Sequence, residues 1–274
     1  MLCHFLRKIM FLGILFVTLP KILGLCTEKK EMNMVVLSVI FLLIVAYLLG
    51  SIPSAVWIGK RYYGIDVREY GSKNAGATNT LRVLGRQAAI PVFALDVLKG
   101  FAAVTLMSLM KYSPVVGDEL LTIFKILAVV AAVLGHIFPI FADFRGGKGV
   151  ATLVGSVVAI APSVILLCFG VWLVVFIAFS YVSLASMCAG VSFPIFILVS
   201  PRTNDNIALI VFSFLVAILL IWTHRKNISR LRAGTESKIS IFPKDGHKPD
   251  VDITGSNHRG ECEKDYNDKT TEEK

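Results

Sequence analysis

The sequence predicts an all-α, polytopic helical membrane protein with about seven transmembrane helices and three cytoplasmic loops fit to bind a substrate. Three observations carry this. Hydrophobic residues make up 55% of the 274 residues and charged residues only 17%, against roughly 25% charged in soluble domains. The mean hydropathy is +0.71. The apolar residues fall in continuous runs of roughly 20, the length that crosses a bilayer as a helix, and they lack the alternation of a transmembrane β-strand. Soluble, disordered and disulfide-stapled folds are thereby excluded.

Residues 1–33 read as an N-terminal extension. Arg7 and Lys8 precede an apolar stretch broken by Pro20 and Lys21, which is either signal- or anchor-like or lies ahead of a true start at Met32 or Met34. The first span covers 34–59, with a kink expected at Gly50-Ser51-Ile52-Pro53-Ser54. Residues 87–110 and 119–141 follow. The run 150–179 is longer than one span and carries Pro162 near its middle. Residues 181–200 and 206–223 complete the set. The integral-membrane unit is thus 34–238. Residues 239–274 are dominated by Lys, Asp, Glu, Gly, Asn and Thr and are expected to be a disordered polar tail.

The formal net charge of +9 is concentrated in loops 60–86, 143–149 and 224–238, which places all three on the cytoplasmic side. An even number of spans must separate them. Two lie between the first and second loops, but three apolar runs lie between the second and third. Either 150–179 is a hairpin of two short helices turning near Ala161-Pro162-Ser163, giving seven spans, or one run is re-entrant, giving five. The basic excess answers to membrane headgroups, and nucleic acid is not a partner. The five cysteines, Cys3, Cys26, Cys168, Cys188 and Cys262, form no CxxC pair. No disulfide, metal site or cofactor is expected.

The loops suit anions. The first contains Gly71-Ser72-Lys73-Asn74-Ala75-Gly76-Ala77-Thr78-Asn79-Thr80-Leu81-Arg82. Its glycines let backbone N–H groups curl around an anion, Ser72, Asn74, Thr78 and Asn79 are neutral donors, and Arg82 is a planar fork for phosphate. A helix starting near Thr78 would bring Arg82 one turn on, to the same side. The second loop, Arg145-Gly146-Gly147-Lys148-Gly149, opens onto a helix, a natural phosphate position, although its spacing is not that of a Walker A loop. The third begins His224-Arg225-Lys226-Asn227 where the last span leaves the bilayer. Ordinary polar turns and snorkelling basic ends are the plain alternative for each loop alone. Inside the membrane, Asp96 and Lys99 sit at i, i+3 spacing and are expected to pair. His136 faces the bundle, and Ser183 and Ser186 open the span 181–200. No aspartate cluster for a magnesium-bound diphosphate, no HxxxxD pair and no Gly-x-Ser-x-Gly elbow is present.

Six strings in order resemble one family: Gly50-Ser51-Ile52-Pro53-Ser54, the first loop from Gly71 to Arg82, Asp96-Val97-Leu98-Lys99-Gly100, Gly135-His136-Ile137-Phe138-Pro139, the second loop from Phe144 to Thr152, and His224-Arg225-Lys226-Asn227-Ile228. They are similar to the bacterial acyl-phosphate:glycerol-3-phosphate acyltransferases, the PlsY family, over about residues 34–238. The resemblance implies a multi-pass inner-membrane enzyme with its active site at the cytoplasmic face. Such an enzyme moves a fatty acyl group from acyl phosphate to the 1-hydroxyl of glycerol 3-phosphate, giving lysophosphatidic acid and phosphate for phospholipid synthesis. A functional link to the acyl-phosphate-forming enzyme is implied. Ser72, Asn74, Thr78, Asn79 and Arg82 would hold one phosphate, and Gly146, Gly147 and Lys148 the other. Ser186 or Ser183, with His224 and Asn227, would orient the hydroxyl. Arg145 stands where the family's second loop is expected to carry Lys. A transporter of an organic phosphate is the other class these loops allow. It would predict internal repeats, and none is visible.

Overall fold

A computed structural model describes residues 28–238. The stretch before residue 28 and the polar tail 239–274 lie outside the described residues. Within them the chain is helical. Helix α1 is Glu28–Gly50, α2 Ser54–Tyr63, α3 Ala77–Leu84, α4 Arg86–Met107, α5 Asp118–Ile137, α6 Val150–Val158, α7 Pro162–Phe179, α8 Val182–Val199, α9 Ile207–Thr223 and α10 Arg225–Arg232.

Local chemistry explains the breaks. Between α1 and α2 the chain turns at Ser51–Pro53, because Pro53 lacks the N–H a continuing helix needs. Helix α2 closes on Gly64 in the left-handed region, φ 70°. The apolar run 150–179 divides at Ala159–Ala161, and Pro162 opens α7 at a position that requires no N–H. The Asn206 side chain caps α9 by accepting from the Leu209 N–H at 2.9 Å.

Five helices are long and apolar enough to cross a membrane among the described residues, and α9 with α10 makes a sixth if that pair, bent by 56°, is one span. The first candidate span runs through the break, Glu31–Tyr63, longer at both ends than 34–59. Helix α6 has nine residues, so at 1.5 Å per residue it rises only about 14 Å, half the hydrocarbon core. The long run is therefore two helices, but unequal ones, and α6 is shorter than a full span.

Helix α1 packs on α5 and α4, α4 on α6 and α3, and α7–α8–α9 form a second layer joined to the first where α9 meets α5. Apolar burial cannot drive this association in lipid, so close backbone approach does. A Cβ on Gly50 would lie 2.1 Å from the Ala132 carbonyl oxygen, and one on Gly135 2.3 Å from that of Tyr47. The α4–α6 crossing is equally tight: a Cβ on Gly100 would lie 2.0 Å from the Thr152 carbonyl oxygen. Asp96 and Lys99 pair as expected, 2.8 Å apart. Ser54 also donates to Asp96 at 3.0 Å, and Lys99 to the Ile52 carbonyl at 2.8 Å, so the buried charges fasten the α1–α2 break to α4. The first loop is itself a folded cap, with Ala55, Val56, Val67, Ala75, Val83, Leu84, Ala88 and Val92 in a small core of their own.

Gly100→Ala is expected to lower the melting temperature in detergent. Overpacking a filled contact costs about 1–3 kcal/mol, more than the roughly 1 kcal/mol that alanine gains over glycine in a helix. A melting temperature at or above that of the wild type would show that α4 and α6 do not approach this closely.

Candidate active site

The three basic loops meet, and Glu236 is where they do so. It lies past α10 in the last described stretch and is 6% exposed. Ser183 from the start of α8 donates to its Oε1 at 2.9 Å, Asn227 from α10 donates to the same oxygen at 2.7 Å, and Arg230 Nε donates to Oε2 at 2.7 Å. Arg82 from α3 stands 3.8 Å from Oε1 and also reaches the Ser237 carbonyl. Lys148 donates to the Asn227 side-chain oxygen. Residues from loop one (Arg82), loop two (Lys148), loop three (Asn227, Arg230, Glu236) and α8 (Ser183) therefore share one site. In the sequence Glu236 is simply the one acid of the basic loop 224–238.

The charges do not cancel. Among the described residues, Arg82, Lys148 and Arg230 surround one carboxylate, two positive charges in excess of it, which matches a phosphate dianion. Burial pushes Glu236 up, but the hydrogen bonds from Arg230, Asn227 and Ser183 outweigh it and hold the carboxyl below its ordinary value. Burial pushes Lys148 down to about 8; Glu236 opposes the shift, while Arg230 and Arg82 add to it. Burial, with Lys148 nearby, also pushes His224 down to about 4, so its ring is neutral at pH 7. Its Nδ1 lies 2.8 Å from the Leu220 carbonyl oxygen. A carbonyl only accepts, so Nδ1 carries the proton and Nε2 is left as an acceptor.

Helix α3 begins at Ala77, one residue from the expected start, and carries Thr78 and Arg82 a turn apart. Thr78 and Asn74 are half-buried. Asn79 is spent inside the loop. Its oxygen accepts from Ser72 N–H at 2.7 Å and Ser72 Oγ at 3.0 Å, and its amide donates to the Val67 and Tyr70 carbonyls. It fastens the loop and positions Ser72. The second loop also differs from expectation. The Gly146 and Gly147 N–H groups donate to the Ile137 and His136 carbonyls, both at 3.1 Å, so neither is free to cradle an anion. These positions are glycine because of contact: a Cβ on Gly147 would lie 2.2 Å from His136 Nε2, and one on Gly146 2.0 Å from the His136 carbonyl oxygen. His136 is held by Thr152, whose hydroxyl lies 3.1 Å from Nδ1. Ser186 is buried and accepts from Trp172 Nε1 at 3.3 Å, a contact between α8 and α7 that nothing in the local sequence signals.

Fold and site together define an integral-membrane protein with a cationic site, rich in serine and asparagine, suited to an organic phosphate. Residues 40–234 match the glycerol-3-phosphate acyltransferase family. A glycerol-3-phosphate acyltransferase of Chlorobium phaeobacteroides is 38% identical over 230 residues, covering 75% of this chain and 98% of that protein. One of Fusobacterium nucleatum is 42% identical over 199 residues, covering 73% and 97%. Crystal structures of PlsY, an integral membrane glycerol 3-phosphate acyltransferase, are similar in fold. The glycerol 3-phosphate form matches at a TM-score of 0.65 with 41% identity, covering 74% of this chain and 96% of that one. The lysophosphatidic acid form matches at 0.62 with 39% identity and the same coverage. The chain belongs to the glycerol-3-phosphate acyltransferase family.

A partly deprotonated Lys148 makes anion binding depend on pH. Inorganic phosphate, followed by displacement or calorimetry, is expected to bind more weakly as pH rises through about 8, and Lys148→Arg is expected to remove that inflection because guanidinium stays charged. An inflection that survives Lys148→Arg would assign the titration to another group.

Proposed function

We propose that this chain transfers a fatty acyl group from acyl phosphate to the 1-hydroxyl of glycerol 3-phosphate, giving 1-acylglycerol 3-phosphate and inorganic phosphate. The single observation that carries the reading is the meeting of Arg82, Lys148, Arg230, Asn227 and Ser183 around one carboxylate, with two positive charges in excess. Relatives solved in a glycerol 3-phosphate form and a lysophosphatidic acid form support the acceptor and the product.

The chemistry suits what these residues supply. Acyl phosphate is a mixed anhydride, so the acyl carbon is already activated. Two phosphates must lie side by side, and their repulsion is tolerable only where cations are dense. Ser72, Asn74, Thr78 and Arg82 hold one phosphate, with Asn79 bracing their loop. Lys148 and the first turn of α6 hold the other, with Gly146 and Gly147 allowing the close turn. Ser186 or Ser183, Asn227 and the Nε2 of neutral His224 orient the glycerol hydroxyl. Its oxygen attacks the acyl carbon, the acyl–oxygen bond to phosphate breaks, and the hydroxyl proton leaves on the phosphate. Lys148 neutralises the charge that gathers there, so catalysis rests on orientation and electrostatic stabilisation, without cofactor or metal.

The acyltransferase unit is residues 34–238, with 1–33 as an extension and 239–274 as a polar tail. The protein resides in the bacterial inner membrane with the three loops on the cytoplasmic face. There it receives acyl phosphate from the enzyme that forms it, while the acyl tail stays in lipid.

The test is phosphate release by purified protein in lipid or detergent without added metal. Release with palmitoyl phosphate and glycerol 3-phosphate, absent with acyl-CoA and lost in Lys148→Ala, is the expected result. Turnover with acyl-CoA alone would overturn the donor. No turnover with either, in a folded sample, would favour transport of an organic phosphate.

A further inference from the structure

Arg68 has no role in anything described so far, yet it is 6% exposed. Its guanidinium faces Asp66 on one side, with Nη2 2.7 Å from Oδ2 and Nε 3.0 Å from Oδ1. The guanidinium holds the Asp66 carboxyl well below the usual carboxylate range. On its other side Nη1 donates across the structure to the Ala142 carbonyl at 2.8 Å and to the Arg145 carbonyl at 3.2 Å.

Those two carbonyls bracket Asp143 and Phe144, consecutive non-glycine residues in the left-handed region at φ 54° and 56°. L-residues adopt that conformation at a cost, and it persists where the surroundings over-determine it. The turn is drawn in from within as well, since the Ala142 and Phe144 N–H groups both donate to the Pro139 carbonyl. Directly after it come Gly146, Gly147 and Lys148. Arg68 thus grips both ends of a strained turn whose exit sets where Lys148 emerges. Lysine offers the same charge but not the fork that reaches a carboxylate and two carbonyls together.

We propose that Arg68 is a positioning residue of the acyl-transfer site, acting through the 142–145 turn to hold Lys148 in place for phosphate. The proposal rests on the acyl-transfer reading only for its kinetic readout. Arg68 itself touches no substrate.

The experiment compares wild type, Arg68→Lys, Phe144→Gly and the double variant, each full-length and purified. It measures steady-state kinetics, melting temperature, and hydrogen exchange of the peptide covering 142–149 with and without inorganic phosphate. Phe144 is exposed, 57%, so glycine there relieves the left-handed strain without opening the core. Arg68→Lys is expected to raise KM for a phosphate-bearing substrate about tenfold, the effect of losing one charge-assisted hydrogen bond, with kcat changed less. Exchange should rise in 142–149 and not elsewhere. Phe144→Gly alone should resemble wild type, and in the double variant it should recover part of the KM, because a relaxed turn needs less holding. Should Arg68→Lys fail to fold, Asp66→Asn, which loosens the guanidinium anchor, takes its place with the same expectations. Lost activity with unchanged exchange in 142–149 would mean that Arg68 acts on substrate directly and would overturn the proposal. So would exchange raised throughout the chain, or no rescue by Phe144→Gly. If no variant turns over acyl phosphate yet exchange behaves as expected, the clamp stands and the acyl-transfer reading falls.

Discussion

The structure of the loop face depends on placing one carboxylate among too many cations. Without Glu236, Arg230 would lose its ion-pair partner, the Asn227 amide and Ser183 hydroxyl would lose their acceptor, and the positive charges of Arg82 and Lys148 would lose a neighbour that moderates them. Buried charges without partners are costly enough to rearrange a site. With Glu236 present, the cations tolerate one another and still leave a surplus for a dianion. The same atoms set geometry: Glu236 turns the Asn227 amide toward itself, which leaves the Asn227 oxygen to Lys148.

The bundle beneath serves this arrangement. Helix α4 must sit close to α6 for the second loop to reach the others, and Gly100 against the Thr152 carbonyl allows it. The buried Asp96–Lys99 pair ties the break after α1 to α4, and with it the start of the folded cap that presents Arg82. His136 lies between these levels. Its ring meets Thr152 and lies against Gly147, and its carbonyl takes the Gly147 N–H.

What the sequence made legible follows from the range of the forces involved. Apolar runs, the break before Pro162, the start of α3 and the i, i+3 pairing of Asp96 with Lys99 are local, set by backbone geometry within a few residues. That three loops share a face followed from their charge. The roles of Glu236, Asn79 and the two glycines were not legible, because each depends on contacts between distant segments. A lone acid among arginines looks like a solvated charge until Ser183, which precedes it by 53 residues, is found against it. Asn79 has the chemistry of a phosphate donor, and only the folded loop reveals that both ends of its amide are taken. A Gly-Gly-Lys-Gly string suggests free amides, whereas the close wall of His136 is what requires the glycines.

The order of residues along the chain has a consequence for biogenesis. Arg82 and Lys148 reach the membrane surface early in synthesis, while Glu236 follows α10 near the end of the described chain. At translation rates of about 5–20 residues per second, several seconds separate the synthesis of Lys148 from that of Glu236 and of Arg230 just before it. The site is complete only when that last segment folds against Ser183 at the start of α8.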